Sequence, residues 1–233
     1  MSSRPDVVES WGPGWWDRWT AWAGRRDGEL QAHVTTSARH WVHDGVMHLE
    51  AARDVNGRWS SPFLCSRLLF PPSGGTLTAR VRPAYVPGHL PAVWLVGGTW
   101  PSSDWPRGGE LDVLEALTTP AGPIVHGNLQ GFNPTAAGDA RLWKDGVHVP
   151  ATPGEWVTVA VELHPDRITW SVDGVAVHTW TAAQLPAGMA WPWRRPSQLL
   201  LSTAVGNPWT GRPPADGPAS VITQVGELRW TWS

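Results

Sequence analysis

An all-β fold, a sandwich of two antiparallel sheets, is what three observations on this sequence predict. Most apolar segments alternate with period two, the signature of a strand with one buried face. Gly 25 and Pro 23 are scattered along the chain, so turns are frequent and long helices are not expected. Apolar residues at helical spacing occur only near the N-terminus, where Trp15, Trp19 and Trp22 predict one short helix packed on the core.

The elements follow in order. HWVHDGVMHLEAAR at 40–53 reads as two short strands about an Asp44-Gly45 turn. GTLTARVRP at 75–83 alternates Leu77, Ala79 and Val81 with Thr76, Thr78, Arg80 and Arg82. PAVWLVGG at 91–98 is an apolar strand, GELDVLEAL at 109–117 a carboxylate-bearing one, and IVHGNLQG at 124–131 the next. EWVTVAVELHPDRITWSVDGVAVHTW at 155–180 holds two strands and a hairpin closed by Asp173-Gly174. SQLLLSTAVG at 197–206 and ITQVGELRWTW at 222–232 bring the total to roughly ten strands, as a sandwich needs. No repeat, linker or low-complexity run divides residues 1–233, so one domain is expected, with the Trp-rich stretch 1–39 its least patterned part.

Composition excludes several function classes. A net charge of −2 gives no basic field for nucleic acid or an anionic membrane. No apolar run approaches the roughly 20 residues of a membrane-spanning helix. The single cysteine, Cys65 in PFLCSRLLF, rules out an internal disulfide and reads as a small buried apolar residue. MSSRPDVVES shows no charged start followed by an apolar stretch, so no secretory leader is read there. No Gly-x-Ser-x-Gly elbow, phosphate-cradling loop or Cys/His metal spacing occurs. His33, His40, His43 and His48 fall on alternating strand positions and read as surface or cross-strand residues, and His126 as structural. Arg194 and Arg195 read as a solvated loop pair.

The chemistry concentrates in GELDVLE at 109–115, which puts Glu110, Asp112 and Glu115 into a strand that otherwise reads as buried. A buried carboxylate is costly unless paired, hydrogen-bonded or protonated. In a regular strand Glu110 and Asp112 share a face and Glu115 points the other way. One extra residue, a β-bulge around Val113–Leu114, returns Glu115 to the face of the other two. Three acids so close cannot all ionise cheaply, so one retains a proton near neutrality, yielding an acid and a nucleophile from similar groups. Two such carboxyls across a cleft are what glycosidic cleavage requires. A Ca²⁺ site or a solvated acidic strand is the plainer reading, disfavoured by the flanking Leu111, Val113 and Leu114. Nineteen tryptophans against three Phe and one Tyr add flat apolar faces that suit pyranose rings as well as a core.

WPRGGELDVLEAL resembles the Glu-x-Asp-x-x-Glu signature of family 16 glycoside hydrolases in its bulged form. LPAVWLVGG, DRITWSVDGVAVHTW and WPWRRPSQLLLSTAVGNPWTG resemble further segments of that family in the same order. The resemblance implies a concanavalin A-like β-jelly-roll sandwich with a concave substrate cleft and a retaining, endo-acting mechanism on β-linked polysaccharide. It implies Glu110 as nucleophile, Asp112 as assisting acid and Glu115 as general acid/base. Trp94 and Trp105 match aromatic residues lining the family's cleft, and Gln130 stands where many relatives carry His. Trp191, Trp193 and Arg82 are further candidates for sugar binding. Ser202 replaces an Asn frequent in relatives, and Gly206-Asn207 a Gly-Gly.

The expected activity is an endo-β-1,3-glucanase. A β-galactan hydrolase of the agarase or carrageenase kind and a transglycosylase are its rivals, and a non-catalytic carbohydrate-binding sandwich is the rival of another class. No cofactor is expected and a structural Ca²⁺ is not indicated. The partner is a polysaccharide and the chain is expected to be a monomer, extracellular by the resemblance. Sugar identity rests on the stretches around 56–62, 84–91, 99–108 and 132–153.

Overall fold

The computed structural model describes residues 6–71 and 73–232. The first five residues, on which the reading of a leader partly rests, lie outside them.

In chain order the strands are β1 (Val7–Glu9), β2 (Trp19–Ala21), β3 (Ala32–Val34), β4 (His40–His43), β5 (Val46–Arg53), β6 (Trp59–Phe70), β7 (Gly75–Arg82) and β8 (His89–Gly97). They continue with β9 (Glu110–Thr119), β10 (Gly122–Phe132), β11 (Leu142–Pro150), β12 (Val157–Leu163), β13 (Arg167–Val172), β14 (Val175–Thr181), β15 (Ser197–Val205) and β16 (Ser220–Trp232). One sheet runs β11-β10-β9-β8-β15-β6 and the other β5-β16-β7-β12-β13-β14. β6 joins them, pairing with β15 in the first and, through Ser60 and Trp59, with β5 in the second. The result is the predicted two-sheet sandwich. All neighbours along this path are antiparallel; β3 lies parallel to β6.

Local chemistry sets the turns. Asp44 (φ 48°) with Gly45 (φ 70°), and Asp173 (φ 48°) with Gly174 (φ 81°), are successive left-handed residues, the backbone of a two-residue hairpin turn. Period-two patterning sets the layers. Leu77, Ala79 and Val81 of β7 and Val159 and Val161 of β12 face Leu111 and Val113 of β9 and Val125 and Leu129 of β10 in one apolar cluster. Each fully buried aliphatic side chain contributes about 1.5–3 kcal/mol relative to exposure.

The predicted N-terminal helix shrinks to a single 3₁₀ turn at Trp15–Asp17, and Trp19 opens strand β2 instead. Pairing of β2 with Ser66, Cys65 and Leu64 overrides the helical spacing. Trp15 and Trp19 still join the core as expected, together with Trp11, while Trp22 is only partly buried and packs on a smaller cluster around Phe63 and Trp94. Glu9 ties them down, accepting from Arg18 Nε at 2.8 Å, Trp19 Nε1 at 3.1 Å and the backbone N–H of Trp11 at 3.0 Å.

Besides the three-residue strands β1, β2 and β3, two long strands lay hidden in the sequence. β6 shows no period-two alternation, because it serves both sheets and most of its residues are buried. β11 lies in the 132–153 stretch, its residues alternating half-buried and exposed because it is an edge strand. Of the histidines read as surface or cross-strand, His33 and His40 are buried; His33 is cross-strand, meeting Oγ of its ladder partner Ser61 at 3.1 Å, and it lies 3.3 Å from Glu29 Oε2. Cys65 is enclosed by Phe63, Trp94 and Leu200, and burial pushes its thiol up to about 12.

Candidate active site

β9 lies between β8 and β10, so its side chains are held on both flanks. On the β8 side Trp94 pairs with Asp112 while its neighbour Val93 pairs with Leu114. On the β10 side Asn128 pairs with Asp112 and His126 with Glu115. β9 thus carries one residue more than either partner between Asp112 and Glu115, a bulge at the expected position. Val113 and Leu114 both go to the core, and Glu115 returns to the face of Glu110 and Asp112.

That face is the floor of an open trough of about 770 Å³. Across the ladder each acid meets its own partner from β10. His126 Nδ1 lies 3.1 Å from Glu115 Oε2. Asn128 Nδ2 donates to Asp112 Oδ2 at 3.0 Å. Gln130 Nε2 donates to Asp112 Oδ2 at 3.1 Å and to Glu110 Oε1. Gly146 on β11 leaves the His126 ring room, since a Cβ there would lie 2.4 Å from Nε2.

The walls are aromatic and charged. The Trp94 indole donates to Ser202 Oγ of β15 at 3.1 Å, so the serine holds a ring at the trough floor. Arg26 lies 5.3 Å from the centre of that ring and 3.6 Å from Glu29. Trp105 and Trp209 also line the trough, their surfaces 44% and 53% exposed, and Trp209 meets the His126 ring at 5.1 Å. Lys144 of β11 adds a second cation.

Burial governs the protonation of this group. It pushes Glu110 up to about 8, with Asp112's charge adding to the effect, while Arg26, Lys144 and Trp105 oppose it. Burial and then Glu110's charge push Glu115 up to about 8 against Lys144 and Arg26. Asp112 is held well above the usual carboxylate range by burial and by Glu115, although Gln130 and Asn128 pull it back. Burial, helped by Lys144, lowers His126 to about 4, so its imidazole is neutral at pH 7. Amide donors converge on Glu110 and Asp112, whereas Glu115 has only a neutral imidazole beside it. Hydrogen bonding therefore prepares Glu110 better than Glu115 to carry charge, while burial raises all three acids together.

Trp94, Trp105 and Gln130 line the trough with the three acids. Arg82, Trp191 and Trp193 do not. Arg82 ends β7 in the opposite sheet, where its Nε donates to Gln224 Oε1 at 2.5 Å and its guanidinium lies 5.4 Å from the centre of the Trp156 ring. Trp191 and Trp193 are 7% and 4% exposed and belong to the core, because their segment tucks beneath β9 and β10 in a 3₁₀ turn. His126, read as structural, lines the trough beside Glu115. Sequence reasoning also missed Asn128, Arg26, Lys144 and Trp209. The first was legible, since His126, Asn128 and Gln130 recur with period two. The others are brought to the trough by loop paths and by an edge strand. Among the described residues no group of three or more His, Cys, Asp or Glu is arranged to hold a metal ion.

Comparison with known proteins places this geometry. The model of the family described as glycosyl hydrolases family 16 matches residues 29–218. A beta-glucanase of Rhodothermus marinus is 27% identical over 231 residues, spanning 92% of this chain and 79% of its own. The solved endo-beta-1,3-glucanase from Pyrococcus furiosus superposes with a TM-score of 0.81 at 23% identity, over 99% of this chain and 94% of that one. The laminarinase catalytic domain from Thermotoga maritima gives 0.80 at 22% identity, over 100% of this chain and 98% of that one.

Proposed function

The chain belongs to glycosyl hydrolase family 16, and on that premise we propose that it is a retaining endo-β-1,3-glucanase using Glu110, Asp112 and Glu115. The observation that carries the reading is one bulged strand presenting three buried acids to an open trough, each acid held by its own partner from β10.

Glu110 in its carboxylate form attacks the anomeric carbon of a bound glycan. As that C–O bond forms, the bond to the leaving glycosidic oxygen breaks, and Glu115 gives this oxygen its proton. The sugar is then an ester of Glu110 and Glu115 a carboxylate. A water molecule attacks the anomeric carbon, Glu115 takes its proton, and Glu110 leaves as a carboxylate. Two displacements retain the anomeric configuration. Asp112 shares the Gln130 amide with Glu110 and so couples the nucleophile's charge and position to its own. An open trough of about 770 Å³ suits a polymer entering mid-chain. The names of the relatives, a beta-glucanase and an endo-beta-1,3-glucanase, support the β-1,3 linkage.

The test is reducing-end release from laminarin, lichenan, agarose and carrageenan, with Glu110→Gln beside the parent. Laminarin is the expected substrate, and Glu110→Gln should lose on the order of a thousandfold or more in kcat. Release from agarose alone would move the assignment to a galactan hydrolase, and products longer than the substrate to a transglycosylase. No release from any glycan, or release indifferent to Glu110→Gln, would overturn the reading.

A further inference from the structure

We infer that Trp170, on β13 of the sheet behind the trough, is a positioning residue for Glu115: its indole holds the β9 bulge in the one register that returns Glu115 to the trough. The inference rests on the reading of Glu115 as general acid/base.

A bulge takes its extra residue out of the ladder and leaves backbone groups to be satisfied elsewhere. A buried carbonyl without a partner is costly. The carbonyl of Val113, at the bulge, accepts from Trp170 Nε1 at 2.8 Å. Trp170 is fully buried and reaches across the sandwich to make this bond. Gly127, facing the bulge on β10 between His126 and Asn128, gives the ring its space: a Cβ there would lie 2.6 Å from Cε2 of Trp170. β13 is itself irregular at this point, its register against β14 shifting between Trp170 and Ser171. One indole therefore stands between two irregular ladders.

Burial alone does not give a tryptophan such a bond here. Trp11, Trp180, Trp191 and Trp230 are equally enclosed, and their N–H groups find no protein partner among the described residues. The consequence of losing the bond is directional. Because side chains alternate faces, undoing the bulge turns Glu115 toward the core and Leu114 toward the trough. Glu110 and Asp112 precede the bulge and keep their places.

The charged groups around Glu115 are Glu110 and Asp112 of its own strand, His126 of β10, Lys144 of β11, and Arg26 from the segment before β3. β8 offers the uncharged Ala92 opposite it. The indole bonds the Val113 carbonyl, so a change there reaches Glu115 through the backbone of β9.

The test compares the parent with Trp170→Phe, which removes the N–H and keeps an aromatic ring. On laminarin kcat should fall about 10- to 100-fold, the scale of a misplacement near 1 Å, with KM unchanged. The basic limb of the pH profile should move to higher pH, because a Glu115 turned toward the core is more deeply buried, while the acidic limb stays. A dinitrophenyl β-glycoside, whose leaving group departs without a proton, should lose much less in its bond-breaking step. Gly127→Ala, which pushes a methyl group against the indole, should reproduce the limb shift. It carries the test if Trp170→Phe fails to fold. A uniform loss of rate with both limbs in place, in either variant, overturns the inference. The ¹³C titration of the Glu115 carboxyl, assigned against Glu115→Gln, reads the same displacement without turnover. An unchanged titration in both variants overturns the inference even if the parent cleaves nothing, whereas an inactive parent counts only against the glucanase reading.

Discussion

The indole N–H of Trp193 donates a 2.9 Å hydrogen bond to the backbone carbonyl of Glu110. A tryptophan expected to stack on sugar thus supports the proposed nucleophile from beneath. Its ring contacts Trp191 at 4.8 Å and Trp143 at 6.2 Å, and it sits against Gly109, where a Cβ would lie 3.1 Å from Nε1.

Replacing Trp193 by Phe removes that bond and part of a buried ring. Stability should fall by about 2–3 kcal/mol, one hydrogen bond plus a small cavity. Denaturant unfolding measures it. Binding of laminarin oligosaccharides to the folded variant should be unchanged, and a selective loss of affinity would return Trp193 to the trough.

Gln130 donates to two carboxylates, and an amide N–H favours their ionised form. Gln130→Leu removes it, so Glu110 and Asp112 ionise at higher pH. The acidic limb of kcat/KM should move up by about one pH unit. An unmoved limb would show that the amide does not set the nucleophile's charge.

The same acids make the fold pH-sensitive. Glu110 and Glu115 titrate near 8 when folded and near 4.5 when unfolded, so the folded chain binds more protons between those values. Stability from these groups is complete below about 4.5 and declines as pH rises toward 8. Glu115→Gln, which needs no proton to stay neutral, should be more stable than the parent at pH 8, by on the order of 4 kcal/mol. The gap should close near pH 4.5. Denaturant midpoints at the two pH values decide it, and a constant difference would contradict the titration.

Trp105 and Trp209 are the exposed indoles of the trough. Truncating either to Ala should raise KM for a long oligosaccharide about tenfold, the loss of one stacking platform worth about 1–2 kcal/mol. Turnover of a short aryl glycoside should change little. Calorimetry on an inactive Glu110→Gln background separates binding from chemistry.

Much of this was legible in the sequence because it depends on local rules. The two Asp-Gly hairpins follow from left-handed backbone preferences, and the paired layers from period-two alternation. The bulge at Val113–Leu114 follows from needing three acids on one face. β6 escaped because a strand shared by two sheets shows no alternation, and β11 because an edge strand is only half buried.

The side-chain environments were not legible. Trp105, Trp191 and Trp193 sit in aromatic, proline-rich contexts and Trp94 in an aliphatic strand, and nothing in their neighbours in sequence tells a trough wall from a core ring. Arg82 and the three acids each lie on alternating strands, yet only the assignment of strands to sheets puts Arg82 on the far one. The sequence by itself determined the acids, their strand and the family they resemble, since these are patterns within a few residues. Which indoles meet sugar, which hold the catalytic strand from below, and that His126 belongs to Glu115 were decided only by tertiary structure. Those relations join residues tens of positions apart through packing and strand pairing, which no local period encodes.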